Sequence, residues 1–234
     1  MTVSLRIAVD AMGGDLGPQA TVLAVLAKAQ HFPQILFHLY GEAKVCSPLL
    51  SHMASNVVFH PTTNRVQMDD APAHALRHKR DSSMAMAIQA VANNDADAVI
   101  SAGNTGALMA LSAHLMNLLE GIDRPALCQA MPTATSASYI LDLGANVDCS
   151  AQQLLQFARL GVALCFLQDN NQAPQVRLLN TGSESNKGSQ AVKEAAVLLE
   201  QQKNINYLGF IEGDQICQGI ACLLYTSPSP RDRG

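Results

Sequence analysis

Asp97-Ala-Val-Ile-Ser-Ala-Gly-Asn-Thr-Gly-Ala-Leu-Met-Ala-Leu111 sets a short apolar strand, Ala98 to Ile100, against a polar glycine loop and an apolar helix. Gly103 and Gly106 let the backbone turn sharply and approach a ligand closely. The helix start then offers unpaired N–H groups and the positive end of its dipole. Ser101, Asn104 and Thr105 add hydroxyl and amide groups at the same place. Phosphate or another small anion suits such a loop. Glycine and asparagine also serve plain strand-to-helix turns, so the motif is not specific alone.

Working outward, the same alternation recurs along the chain. Leu5 to Val9 reads as a strand, followed by the Gly13-Gly14 turn and a helix opening near Pro18. Further strands are expected at Ile35 to Tyr40, Val57 to Phe59, Ala126 to Ala130, Tyr139 to Leu143, Val176 to Leu179 and Tyr207 to Ile211. Helices are expected over about 42–53, up to His78, over 83–93 and 105–119, after Ser150, and through Val192, Ala196 and Leu199. Asp81 or Ser82 caps the helix that begins at Ser83. Short continuous apolar strands separated by helices indicate α/β architecture with a largely parallel sheet covered on both faces. Binding sites in such folds gather at the carboxyl ends of the strands. Four polar or Gly-rich loops fall there, 10–15, 101–106, 142–148 and 180–188, and one shared cleft is the economical expectation.

Composition narrows the classes. A net charge of -4 argues against a nucleic-acid binder relying on bulk positive charge. Aromatics are only 4% of residues, so the core must be built from Ala, Leu, Val, Ile and Met. The six cysteines lack CxxC or zinc-finger spacing and read as reduced core thiols of a cytoplasmic protein. No apolar run approaches a membrane span.

Candidate chemistry concentrates in the loops. Asp10 and Asp15 flank Gly13-Gly14, and their charge would repel an anion unless cations compensate. Asp15 is equally readable as a helix cap. Arg77-His-Lys79-Arg80 is the one dense basic cluster, suited to phosphate, to an acidic protein, or simply to solvent. His74 and His78 share a helical spacing but have no third metal ligand in sequence. Lys187, between Asn186 and Gly188, can stabilise developing negative charge, or be a plain surface lysine. Asn180 to Ser189 does not match the Walker spacing, and no nucleophile-elbow, His-Glu-x-x-His or cysteine signature occurs. The nucleophile of such an enzyme would come from the substrate, and inorganic phosphate fits.

Taken in order, Ile7-Ala-Val-Asp-Ala-Met-Gly-Gly-Asp15, Lys79-Arg-Asp-Ser-Ser-Met84, Ile100-Ser-Ala-Gly-Asn-Thr-Gly-Ala-Leu-Met109, Gly121-Ile-Asp-Arg-Pro-Ala126, Leu141-Asp-Leu-Gly-Ala-Asn-Val-Asp148, Leu178-Leu-Asn-Thr-Gly-Ser-Glu184 and Lys187-Gly188 resemble bacterial acyl-ACP:phosphate acyltransferases of phospholipid synthesis. The resemblance implies transfer of a fatty acyl group from acyl carrier protein to inorganic phosphate. It implies a three-layer α/β/α fold related to isocitrate dehydrogenase and phosphotransacetylase, a homodimer, peripheral association with the inner membrane, and no cofactor or metal. It places Lys187 as catalytic. Asp10, Gly13, Gly14, Lys79, Ser82, Ser101, Gly103, Asn104, Thr105, Gly106 and Asn146 would bind substrate.

The resemblance stops near Ala221. Family members continue with a strand, an Asp-Gly-Phe-x-Gly-Asn motif and a helical hairpin for dimer and membrane contact. The expectation is therefore that 1–221 is the amino-terminal part of a single domain. Residues 222–234 would be an unrelated, disordered tail of foreign origin, with no strand after the helical segment expected from Asp214 to Ala221. Two alternatives stand beside the acyltransferase. One is a phosphate- or carrier-binding fragment without turnover. The other is a pyridoxal-phosphate enzyme, because Ser-x-Gly-Asn-Thr-Gly also resembles a loop of that class, with Lys79 as the Schiff-base candidate.

Overall fold

The computed structural model describes residues 5–134, 137–146, 148–169, 173–180, 182, 187–219 and 223–225. They fall into two compact units, 1–117 and 118–234.

In the first unit the order is β1 (Leu5–Asp10), α1 (Gly17–His31), β2 (Ile35–Glu42), α2 (Ala43–Cys46), β3 (Val57–Thr62), α3 (Pro72–His78), α4 (Ser83–Ala92), β4 (Ala98–Ile100) and α5 (Thr105–Leu115). The strands form an all-parallel sheet in the order β3-β2-β1-β4. Alternation sorts its side chains onto two faces. Val9, Phe37, Leu39 and Val57 pack with Val22, Val25 and Ala29 of α1, while Ala8 and Tyr40 pack with Ala87 and Ala90 of α4. Helices therefore cover both faces, as a parallel sheet requires. The alanines of α4 let that helix lie close to the strands, which is how a chain poor in aromatics closes its core.

The expected helix over 42–53 is only α2 plus a 3-10 turn, Ser47–Leu49. Pro48 suits a first helical turn but has no N–H to continue the ladder of α2, so the segment breaks into two short pieces.

The second unit contains β5 (Cys128–Pro132), β6 (Ala137–Leu141), α6 (Ala151–Asp169), β7 (Gln175–Leu179), α7 (Gln190–Glu200), β8 (Asn206–Ile211), a 3-10 turn (Gly213–Gln218) and β9 (Leu223–Tyr225). Its sheet order is β5-β6-β9-β7-β8, with only the β5–β6 pair antiparallel. Tyr139, Leu141, Val176 and Leu178 face α6 and α7, which contribute Leu154, Phe157, Ala195 and Leu199 to one core.

β9 corrects the expected end of the fold. Leu223 pairs in parallel with Tyr139 on one side and Val176 on the other, so the strand fills the gap between β6 and β7. A three-residue strand carries too little periodicity to be seen in sequence, and its stability comes from two neighbours supplying ladders on both edges. Residues 226–234 lie outside those described.

Candidate functional site

Because β1 and β4 are parallel neighbours, their carboxyl ends bring the loops 10–15 and 101–106 of the first unit side by side. The two loops meet backbone to backbone. A Cβ built on Gly13 would lie 2.5 Å from the Gly103 nitrogen and 2.9 Å from its Cα. No residue larger than glycine fits at Gly13 without moving the second loop. Gly14, at φ 85°, continues the turn in the left-handed region that glycine favours.

Asp10 lies beneath this junction, 2% exposed. Its Oδ1 accepts from Ser83 Oγ (2.5 Å) and the Met12 N–H (3.1 Å), and its Oδ2 accepts from Ser101 Oγ (2.7 Å). Ser101 Oγ in turn accepts the Gly103 N–H at 3.1 Å. A serine has one proton to give. Ser101 has given its own to Asp10, so it has none for an anion.

The same accounting applies around the loop. Ser82, rather than Asp81, caps α4. It accepts the Ala85 N–H, donates to the Lys79 carbonyl at 2.6 Å, and is fully buried. Asp81 accepts from Thr63 Oγ1 instead. Asn104 caps α5 through its Oδ1, and its Nδ2 lies within hydrogen-bonding distance of the carbonyls of Gln67, Met68 and Asp70. The groups left open are the exposed Thr105 side chain and the Thr105, Gly106, Gly13 and Gly14 N–H groups. Among the described residues, no hydrogen bond engages those four amides. Backbone N–H groups at a helix start are suited to an oxyanion.

Lys79 departs from its expected use. Its Nζ is 2.5 Å from Asp70 Oδ2, with both side chains only 13% exposed. The Lys79 ammonium holds the Asp70 carboxyl below the usual carboxylate range. Asp70 Oδ2 also accepts the Gln67 N–H at 2.6 Å. Lys79 and Asn104 thus anchor one segment, 65–70, from two sides. Residues 65–69 of that segment, with Met12 and residues 14–18, line a cleft of about 480 Å³, with Arg65, Asp15 and Asp69 among its polar residues. α1 begins at its floor with Leu16 as N-cap and no side-chain cap, so Asp15 does not cap that helix.

The sign of the pH effect follows from the direction of the shift. Asp70 is more acidic folded than unfolded, so the pair's stabilisation is complete above the ordinary carboxylate value of about 4 and disappears as pH falls through the lower folded value. Lys79→Met removes that component. The stability difference between wild type and Lys79→Met, read from denaturation midpoints between about pH 6 and about pH 2, narrows toward the acid end. A constant difference would show that the pair contributes nothing to acid sensitivity.

In the second unit, Asp142 is 2% exposed and accepts the N–H of Leu127 and of Asn146, both at 2.7 Å. Asn146 Nδ2 donates to the Pro125 carbonyl and to Asp142 Oδ2. Asn146, like Asn104, ties its loop to a segment distant in sequence. Lys187 is exposed, and its carbonyl accepts from Asn180 Nδ2 at 3.1 Å. Gly188 has φ 86° and would place a Cβ against the Asn180 amide, so the chain passes tightly here before Ser189 caps α7. Residues 181 and 183–186, within the expected polar loop, lie outside those described.

Of the four loops, 10–15 and 101–106 come together in the first unit, while 142–148 and 180–188 belong to the second. Ser83, Asp70 and Arg65 were not singled out from sequence. Ser83 sits in a Ser-Ser pair at a helix start, and only the fold shows which serine caps and which reaches Asp10. Burial pushes the Cys46 and Cys149 thiols up to about 11, so neither offers much thiolate near neutral pH. No metal-binding cluster occurs among the described residues, and His74 lies near Asp70 and stacks obliquely on His78.

Comparison with known proteins gives a consistent result. A family model described as fatty acid synthesis protein matches residues 5–226, and so includes β9. The phosphate acyltransferase of Shewanella loihica is 47% identical over 221 residues, covering 92% of this chain and 65% of that protein. The phosphate acyltransferases of Pseudomonas syringae pv. tomato (47% over 219 residues, 92% and 64%) and Nitrosococcus oceani (45% over 221 residues, 93% and 65%) are similar as well. The chain thus spans slightly less than two thirds of the length of these curated relatives. Among solved structures, the EutD phosphotransacetylase from Staphylococcus aureus shares the fold with a TM-score of 0.64 at 15% identity, covering 95% of this chain and 78% of that one. A branched-chain phosphotransacylase from Enterococcus faecalis does so at 0.60 and 13%, covering 94% and 78%. None of these relatives supports the pyridoxal-phosphate alternative, and the Lys79 amine that it needs is held by Asp70.

Proposed function

Since the chain belongs to the fatty acid synthesis protein family, we propose that it serves the transfer of a fatty acyl group from acyl carrier protein to inorganic phosphate. The named activity of its relatives supports this reading, and so does one structural observation. At the junction of the β1 and β4 loops, serine and asparagine protons are spent internally while the Thr105 and Gly106 amides stay open. That arrangement suits an anion gripped by backbone.

In the reaction, a phosphate oxygen attacks the thioester carbonyl carbon. The new C–O bond forms, the C–S bond breaks, and the carrier's thiol leaves carrying the phosphate proton. No protein nucleophile is needed. The amides of the first unit hold phosphate with one oxygen presented, and Lys187 takes the charge-stabilising role that the family resemblance gives it. The exposed Arg77, His78 and Arg80 suit an acidic carrier protein. The homodimer and the peripheral contact with the inner membrane belong to the same proposal. Among the described residues, no helix is long and apolar enough to cross a membrane.

The test is acyl-phosphate formation from acyl-carrier thioester and inorganic phosphate, by this chain and by the full-length Shewanella loihica relative. Lys187→Ala, and the corresponding change in the relative, lowers the rate at least tenfold, about 1.4 kcal/mol. Unchanged turnover would remove Lys187 from the mechanism. Turnover by the relative, with phosphate binding alone by this chain, would assign the chain the binding role without catalysis.

A further inference from the structure

We propose that Asp10 is the positioning residue of the anion loop, acting through Ser101 and never touching the anion. The proposal rests in part on the phosphate reading above. A carboxylate facing an oxyanion would repel it, yet here the charge is turned away from solvent and saturated from inside. Its two oxygens divide the work. Oδ1 takes Ser83 Oγ and the Met12 N–H, which join β1 to the start of α4 and shape its own turn. Oδ2 takes only Ser101 Oγ, 91 residues away in sequence.

That second bond fixes where the Ser101 proton points. With the proton directed at Asp10, the serine lone pairs face the loop and capture the Gly103 N–H. Gly103 is then held against Gly13, and the backbone enters α5 with Thr105 and Gly106 amides open. Asp10 therefore orders the loop by orienting a hydroxyl.

Asp10→Asn separates the two arms. The amide oxygen replaces Oδ1 and keeps the Ser83 and Met12 bonds. The NH2 replaces Oδ2 and faces Ser101 as a donor. Ser101 must now accept from it with one of its two lone pairs and turns its proton outward, so the Gly103 N–H faces an oxygen that no longer donates to a carboxylate and is a weaker acceptor. Ser101→Ala deletes the same arm from the other end without touching the buried carboxylate. Ser101→Thr keeps the hydroxyl.

The experiment reads amide hydrogen exchange and inorganic-phosphate titration by nitrogen–proton NMR on this chain. Without phosphate, Gly103 N–H exchange rises at least tenfold in Ser101→Ala and by a smaller factor in Asp10→Asn, while amides of β2 and α1 are unchanged and Ser101→Thr restores protection. With phosphate, the wild type shifts at Thr105 and Gly106, Ser101→Ala binds at least tenfold more weakly, and Asp10→Asn falls between it and the wild type. Unaltered Gly103 exchange in both disrupting variants would overturn the positioning role. So would phosphate affinity equal to wild type despite faster exchange. Absence of phosphate shifts in the wild type, with the exchange result intact, would instead sink the phosphate reading and leave the Asp10 assignment standing. Should Asp10→Asn fail to fold, the Ser101 pair alone decides.

Discussion

Gly13→Ala destabilises the first unit by about 2–3 kcal/mol and abolishes phosphate binding, whereas Gly103→Ala costs about 1 kcal/mol. Both add one methyl group at the same junction, so the difference lies in what each methyl meets. At Gly13 it meets the Gly103 backbone nitrogen at 2.5 Å and Cα at 2.9 Å. Backbone at a strand-to-helix turn cannot yield without carrying Ser101 and the start of α5 with it. At Gly103 the nearest atom is the terminal methyl of Met84 at 2.8 Å, the far end of a flexible side chain that can swing aside. Ser101 Oγ at 3.2 Å is a smaller obstacle. Urea denaturation of the two variants, with phosphate titration on each, measures both effects. Equal costs, or Gly103→Ala the more damaging, would refute the backbone-on-backbone account.

Phe157→Ala costs about 3–5 kcal/mol in the second unit. Phe157 is the largest fully buried side chain there, in the core that α6 and α7 build on the sheet with Leu154, Leu178 and Leu199. Truncation loses the transfer energy of the ring and leaves a cavity between a helix and strands that ladder hydrogen bonds hold in place, so collapse is limited. Phe166, on the same helix but 49% exposed, serves as the control, and Phe166→Ala stays within about 0.5 kcal/mol of wild type. Guanidinium denaturation midpoints settle it, and similar losses for both would show that the burial on α6 has been misread.

Much of the fold was legible because its signals are local. Ala98–Ile100 followed by Gly103 and Asn104 predicts strand, turn and helix within a dozen residues, and the strand, the Asn104 cap and α5 all follow. Ser82 is legible as a cap for the same reason, although choosing between it and Asp81 needed the fold. β9 was not legible. Three apolar residues before a proline-rich stretch look like the end of a chain, and only the neighbouring ladders of β6 and β7 make them a strand.

The site divides along the same line. Which residues gather at the strand ends was determined by sequence, since glycine turns and apolar strand runs dictate where loops fall and parallel pairing of β1 with β4 makes two of them neighbours. What those residues do was decided by tertiary structure. Ser101, Asn104 and Lys79 have the chemistry of anion ligands, yet each spends its hydrogen-bonding capacity on a partner many residues away. A residue type states how many protons a side chain can give or take. Only the packed neighbours decide where they go, and here they leave the backbone amides of Thr105 and Gly106 among the open donors.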